Sequence, residues 1–594
     1  MEQNKDKQLQ YVVDEFERYE RYHSKRFEKA SKIYDMWIGK PPTRTHDWQN
    51  AVHKPLMMEG EQTITPRMFT ALFPNDAPID CKSEGPASPQ AARVIKGAVE
   101  HYFRVANVQQ HFYPALGQST LFGTGYAESG SWLSRRQWLT NRETGDRYYT
   151  IVETRPDIKF VSFFEMFPNP NKIYMWDNLP LIRRRFVDAE YLKSLAENPY
   201  FKFDKLSEAL NTENPVTSNS IIYSQDGKPI PKKREEYEIL DYWGPWDESY
   251  TDNNGKEKKR KAVPYWIIIV NRKVKVRAVP NPYNHQLPPF IKIKLFEDVK
   301  PSWFGVGIGE IGMSPQERVN KIVNQRLDNV DLVLNKQGLI DGNDTLLNTK
   351  QLMISKPGKF HRVQDIDRSV KVFEFNDVTA SSYNEEKLAS DDFKEATGAV
   401  IPLQPGDKSE QHRTAMGIQL LQGAAGIRFK PILRMIELDG IAQTAMFFYS
   451  NLHQFMTKPQ WIEITGEDGA QAPQAFLLSP EDLQAKVYFI PTGLSETLNK
   501  ELQIGQLLRF KEITVNDPTV NRMEINRRIA ELFGFKNVNK LLVEQPPPQM
   551  QPGSLPPEMQ QKIRQRMAEG ATPDQVKGEM IGPQPRTAIT TGGG

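Results

Sequence analysis

Between Phe290 and Met456 the chain runs through a strand, a glycine-rich turn, a polar-seamed helix, a short β-bearing insert, a second helix, a basic loop and a very long helix. This order of elements constrains the fold more than any short motif does. At its pivot, Ser314-Pro315-Gln316-Glu317 predicts a helix start, with Ser314 as cap, Pro315 in the first turn and Glu317 closing a capping box. From there to Asn335 the apolar residues Val319, Val323, Leu327, Val330 and Leu334 recur at spacings of three and four. A second stripe, Glu317, Lys321, Asn324, Asp328, Asp331 and Asn335, is wholly polar. Either a surface helix or a helix facing a water-filled space shows such a seam.

After the insert, Glu385 to Thr397 reads as the second helix, within 379–398. Thr397-Gly398-Ala399-Val400 then opens a loop that ends at Thr414-Ala415-Met416-Gly417. Together with the turn Phe304-Gly305-Val306-Gly307, the acidic Glu310 and Pro315-Gln316-Glu317-Arg318, this order resembles the middle of a tailed-bacteriophage portal protein, over roughly residues 100 to 460. The resemblance implies an α+β, multi-domain subunit with a long helical stem, a β-containing clip, a wing and a helical crown, forming a ring. It divides the chain into an N-terminal arm and wing (1–306), first stem helix (307–335), clip (336–378), second stem helix (379–398), tunnel loop (399–413), long wing helix (414–460), crown region (461–544) and a tail (545–594).

The same resemblance implies a ring of twelve subunits through which double-stranded DNA is packaged and ejected. Its implied partners are the terminase large subunit, major capsid and scaffolding proteins, and head-tail adaptor or tail proteins. The place of action would be the capsid vertex of a virion assembled in a bacterial cytoplasm, with no cofactor, no metal and no enzymatic activity. The loop carries Lys408, His412 and Arg413. In a ring these cations would repeat at one height and contact phosphates without reading sequence. Glu317, Lys321, Asn324, Asp328 and Asp331 would face the channel or a neighbouring subunit.

Composition is neutral on this point. The 77 basic and 74 acidic residues leave a net charge of +3, which suits a conduit that DNA slides through and equally suits an ordinary enzyme. At 594 residues several domains are expected. The single cysteine, Cys81, leaves no intrachain disulfide framework and fits a reducing compartment. The amino terminus has no apolar run of the signal-peptide kind, and the most apolar stretch, Trp266 to Val270, is too short to cross a bilayer, so no membrane partner is expected.

Elsewhere, residues 8 to 38 form an amphipathic helix, with Phe16, Tyr19, His23, Phe27, Ala30, Tyr34 and Trp37 on one face. It reads either as an arm on its own domain or as one reaching a neighbour. Leu56 to Phe73 and Ala91 to Gly117 read as helical, and Tyr148 to Glu153 and Lys159 to Phe164 as strands. Asp252-Asn253-Asn254-Gly255 marks a hairpin tip beside the basic run Lys256, Lys258, Lys259, Arg260 and Lys261, either a solvated face or a contact for DNA or capsid protein. The insert carries a turn at Asp341-Gly342-Asn343-Asp344 and strands Gln351 to Ser355 and Val370 to Phe375. Pro431 and Gly440 should bend the long helix, which would span about 65 Å if straight. Strands are expected at Trp461 to Thr465 and Val487 to Ile490, a short helix at Ser479-Pro480, and a helical region from Leu494 to Phe533.

Enzyme readings fail on context. Gly307 to Gly312 matches GxGxxG, but the preceding strand ends too far upstream, near Phe296, and the helix is expected to start after the glycines. Gly123-Thr124-Gly125-Tyr126-Ala127 lacks the Lys-Ser/Thr of a P-loop, and the nine histidines form no HExxH. The pairs Glu385-Glu386 and Asp391-Asp392 lie on a probable helix, where adjacent side chains diverge and cannot share one metal. The open alternatives are a monomeric nucleic-acid-processing enzyme and another ring-shaped capsid or tail protein.

The Pro/Gln-rich tail lacks apolar periodicity and is expected to be disordered apart from short helices at Pro556–Glu569 and Pro573–Met580. Removing Gln545 to Gly594 should leave assembly intact. Mass measurement of the truncated protein checks this, and loss of the assembled species would make the tail an assembly element.

Overall fold

The computed structural model describes residues 2–84, 89–141, 144–195, 203–212, 236–251, 257–335, scattered positions between 338 and 373, then 379–399, 429–464, 474–493, 507–514, 522–532 and 557–570. Two compact units divide the chain, Met1–Leu498 and Asn499–Gly594.

The first unit opens with helix α1 (Glu2–Trp37), whose Val12, Phe16, Tyr19, His23, Ala30 and Ile33 are buried. It packs on its own chain, with its aromatics against Phe167 and Tyr242. Tyr34, expected on the apolar face, is instead 45% exposed, and Ile33 takes the inward position. Helix α2 (Leu56–Leu72) and strand β1 (Ile79–Ser83) follow. The stretch Ala91–Gly117 resolves into α3 (Pro89–Val105) and α4 (Val108–Phe122), divided at Asn107, whose φ of +51° stops a helix.

Strands β2 (Thr124–Thr140) and β3 (Arg147–Val161) form one long hairpin, so the two short strands expected after Tyr148 are a single strand. Strands β4 (Met166–Pro168) and β5 (Leu181–Asp188), helices α5 (Ala189–Leu195) and α6 (Phe203–Leu210), and strands β6 (Glu236–Thr251), β7 (Glu257–Val270) and β8 (Val274–Pro280) come next. A five-stranded sheet has the order β4-β5-β6-β7-β8, and a second sheet the order β3-β2-β9, with β9 at Phe290–Lys294. Thr251 pairs with Glu257, which agrees with a hairpin tip at 252–256, although the tip itself lies outside the described residues.

Helix α7 (Ile308–Leu334) starts six residues before Ser314, with Gly307 at its N-cap. The expected capping box is therefore absent and Pro315 lies inside the helix. Tertiary packing overrides the local signal. A Cβ at Gly307 would lie 2.4 Å from both the Gly123 nitrogen and the Leu121 carbonyl, and one at Gly309 2.4 Å from Ile33. One ground for excluding a dinucleotide site, a helix starting beyond the glycines, is thus corrected. The other stands, since β9 ends at Lys294, well short of Gly307.

Beyond α7 lie β10 (Gly338–Ile340), β11 (Val370–Val372) and helix α8 (Thr379–Thr397). Strand β11 pairs antiparallel with β10, and Gln351–Ser355 lies outside the described residues. So do the loop residues Lys408, His412 and Arg413 and the first half of the long helix. That helix emerges at 429–436, passes through a π-helical turn, Glu437–Ala442, and continues as α9 (Gln443–Phe455). Gly440 accordingly sits in a π turn, where its missing Cβ admits the Phe112 ring, 2.8 Å from the Cβ position.

Strands β12 (Gln460–Ile464), β13 (Gln474–Leu478) and β14 (Val487–Pro491) close the unit, and β14 pairs with β1. The short helix expected at Ser479-Pro480 is a 3-10 turn, Pro480–Leu483, and Ser479 and Asp482 close a capping box on it. The second unit contains helices α10 (Arg522–Leu532) and α11 (Pro557–Ala568).

One core cluster gathers α2, α3, α4 and α9 around Phe103, Phe112, Phe447 and Phe448. Another joins the end of α1 to α2, α7 and α8 through Met57, Phe163, Trp303, Val319 and Phe393. Gly307→Ala should destabilise the protein by about 1–3 kcal/mol, because backbone rather than a flexible side chain blocks the new methyl. Gly342→Ala, with nothing within 4 Å, is the control. Urea denaturation of both variants checks this.

Candidate functional site at the helical hairpin

Helices α7 and α8 lie against one another as a hairpin that carries the β10–β11 insert. Small residues permit the contact. The Phe393 ring occupies the space a Cβ would take on Gly312, at 2.3 Å, and approaches that of Gly60 at 3.0 Å, tying α8 to both α7 and α2. Charges then align the pair. Arg326 reaches Glu386 at 2.7 Å and lies over the Tyr383 ring at 4.1 Å, while Arg318 meets Glu385 at 2.7 Å and Asp392 at 3.5 Å. Hydrogen bonds from Lys54, chiefly, and from Arg326 hold the Glu386 carboxyl below its usual range. Glu385 and Glu386 thus point to different partners, as neighbours on a helix must.

The polar stripe of α7 divides. Glu317 and Lys321 are exposed and line a cleft of about 530 Å³ with Lys32, Arg44 and His53. Asn324 and Asp328 border the same cleft, and with Asp331 they bond to the chain's own extended segment 50–54. The Asn50 N–H donates to Asp328 Oδ1 at 2.7 Å, and the Asn50 amide reaches Asp331 Oδ2 at 2.7 Å. The Val52 N–H donates to Asn324 Oδ1 at 2.7 Å, and Asn324 Nδ2 donates back to the Val52 carbonyl at 2.9 Å. The Lys54 N–H donates to Asn320 Oδ1 at 3.0 Å, and the Met57 N–H to Gln316 Oε1 at 3.0 Å.

Two periodicities explain this ladder. Four helical residues rise about 6.0 Å and two extended residues about 6.6 Å, so Asp328, Asn324 and Asn320, every fourth side chain, meet Asn50, Val52 and Lys54, every second peptide, while Gln316 reaches Met57 in the first turn of α2. Burial demands the pairing, since Gln316, Asn320 and Asn324 are all buried and an unpaired amide there would be costly. Gln316 and Asn320 went unnoticed in the sequence, although their spacing of four with Asn324 and Asp328 is the signal for them.

The turn before α7 is clamped by α1. Arg26 and Lys29 both bind Glu310, at 3.0 and 2.9 Å, and Arg26 also donates to the Gly305 carbonyl at 2.6 Å. Glu310 therefore ties α1 to α7.

Asn324→Ala should cost about 1–3 kcal/mol by stranding both backbone groups of Val52. Asn324→Asp should also destabilise, because a carboxylate cannot donate to that carbonyl. Limited proteolysis within 43–55 should speed up in both; unchanged cleavage would show that the ladder does not hold the segment.

No curated protein matches the chain. A family model described as Phage SU10 portal protein matches residues 144–571, well over half of the 594. The match begins within the β2–β3 hairpin and runs past residue 545 to include α11, so it extends further toward the carboxyl end than the order of elements alone suggested. Its span includes the glycine turn and the α7–α8 hairpin with its insert. The chain belongs to the phage SU10 portal protein family.

Proposed function

We propose that this chain forms a closed ring, of twelve copies by family analogy, whose axial channel passes double-stranded DNA during packaging and ejection at a capsid vertex. The observation that carries this reading is the α7–α8 hairpin with a two-stranded insert at its end, in a chain of the portal family. That end is apolar in a single copy: Leu334 is 73% exposed and Leu339 58%. Exposed apolar side chains at this end favour cover by neighbouring copies or a docked partner. The tip is the proposed docking site for the terminase large subunit and, later, for head-tail adaptor or tail proteins. Capsid and scaffolding proteins would meet the wing. The chain itself acts structurally, while a separate ATPase supplies the work.

In this reading the exposed Glu317 and Lys321 are the stripe members left to face the channel or the next subunit. The tunnel loop with Lys408, His412 and Arg413 would form a ring of cations around the DNA. Mass measurement of the purified protein tests the assembly, since a monomer at every concentration would leave only the enzyme reading.

Lys408→Ala with Arg413→Ala should spare folding and ring formation yet alter DNA packaging or retention. The effect should shrink as salt rises, because exposed charges are screened over about 8 Å at physiological ionic strength. Packaging and retention equal to wild type at low and high salt would show that these residues do not meet DNA.

A further inference from the structure

The α7–α8 hairpin has two outward faces, and they differ in charge. Phe393 turns one side of α8 toward Gly312 of α7. At about 100° per residue, Lys321, nine residues beyond Gly312, lies on the far side of α7. By the same spacing Asp391 and Glu395, two residues either side of Phe393, lie on the far side of α8. All three are exposed.

On the α7 side, Lys321 joins the exposed Lys32 and Arg44 around the cleft of about 530 Å³, whose lining includes Met36 and Pro42. Two carboxylates of that cleft are already engaged. Asp35 pairs with Lys40 at 2.7 Å, and Asp328 accepts from both nitrogens of Asn50 at 2.7 and 3.0 Å. Glu317 is left beside three cations, none of which has an ion-pair partner among the described residues. On the α8 side, Asp391 and Glu395 also lack ion-pair partners among the described residues. Leu388, one turn before Asp391, is 56% exposed.

We propose, building on the ring reading above, that the outer face of α8 in one copy docks in the α1–α7 cleft of the next. Charge complementarity selects a second copy as the occupant. The two faces lie on opposite sides of one hairpin, so the same contact repeats head to tail, and contacts of that kind can close into a ring. Leu388 meets Met36 and Pro42, while Asp391 and Glu395 meet Lys321, Lys32 and Arg44. DNA suits the α8 face poorly, because its carboxylates repel phosphate. Helix α1 thereby serves the contact between copies as well as packing on its own chain.

Charge reversal in the full-length protein tests the contact, with mass measured over a range of concentrations. Lys32→Glu with Lys321→Glu should raise the concentration needed for assembly by about tenfold or more, and so should Asp391→Lys with Glu395→Lys. Raising salt should lessen both losses. Neither pair should alter the fold read by circular dichroism, because all four side chains are exposed. An equal mixture of the two variants should assemble again, since alternating copies then set each cleft against an α8 face of opposite sign. All four reversals in one chain should restore assembly too. If a reversal impairs folding, Lys32→Gln with Lys321→Gln, or Asp391→Asn with Glu395→Gln, replaces it with a smaller loss. Reversed variants that assemble like wild type overturn the proposal and leave the ring reading standing. Losses that neither the mixture nor the fourfold reversal repairs do the same. Reversal on α8 that changes DNA packaging without changing assembly assigns that face to the channel instead. A wild type that stays monomeric at every concentration overturns the ring reading as well.

Discussion

The near match between four residues of helix and two of extended chain is what the rest of the hairpin depends on. It lets side-chain amides and carboxylates of α7 hold the backbone of residues 50–57, a stretch that no sheet supports. Since that stretch joins α1 to α2, fixing it fixes both. Helix α1 is then placed to clamp Glu310, and α2 to present Gly60 to Phe393. Helices α1, α2, α7 and α8 are thereby set in one arrangement, largely by polar side chains. The ladder also repeats, so losing one rung strands only two backbone groups and leaves the others in place.

Charge pairs reinforce that arrangement unequally. The Arg318–Glu385 pair is about half exposed on both sides, and pairs of that kind contribute about 0–1 kcal/mol. Arg326 and Glu386 are 13% and 15% exposed and share Lys54 and the Tyr383 ring. Removing Glu386 there leaves Arg326 without its carboxylate in a largely enclosed place, which costs more than the pair itself contributes, whereas Glu386 without Arg326 still keeps Lys54. The second pair therefore sets the alignment of α7 with α8, and the first trims it.

Much of this was legible in the sequence. The periodicity of Phe16, Tyr19 and His23 gave α1, Thr379–Thr397 falls within the range drawn for the second stem helix, and Ser479-Pro480 marked a true cap. One reading failed for an identifiable reason. Ser314-Pro315 has the composition of a helix start, but the close approach of Gly307 to Gly123 and the clamp on Glu310 start the helix earlier. The bonding of Asn324, Asp328 and Asp331 to residues 50–54 was not legible, because that partner segment has no pattern of its own. An extended segment whose backbone is satisfied by side chains shows neither a period of 2 nor one of 3.6.

The pairing of β1 with β14 has a consequence for biosynthesis. Residues 79–83 leave the ribosome with their strand partner still unmade, and at about 5–20 residues per second the roughly 400 intervening residues take about 20–80 s. Throughout that interval β1 has no ladder and Cys81 no cover from Phe489, its register partner. The segment 50–57 waits too, though less long, for the amides of α7. A nascent chain of this protein therefore carries two unpaired stretches near its beginning until much later sequence emerges. Its yield in a cell should depend on whatever shields them during translation, quite apart from the stability of the finished subunit.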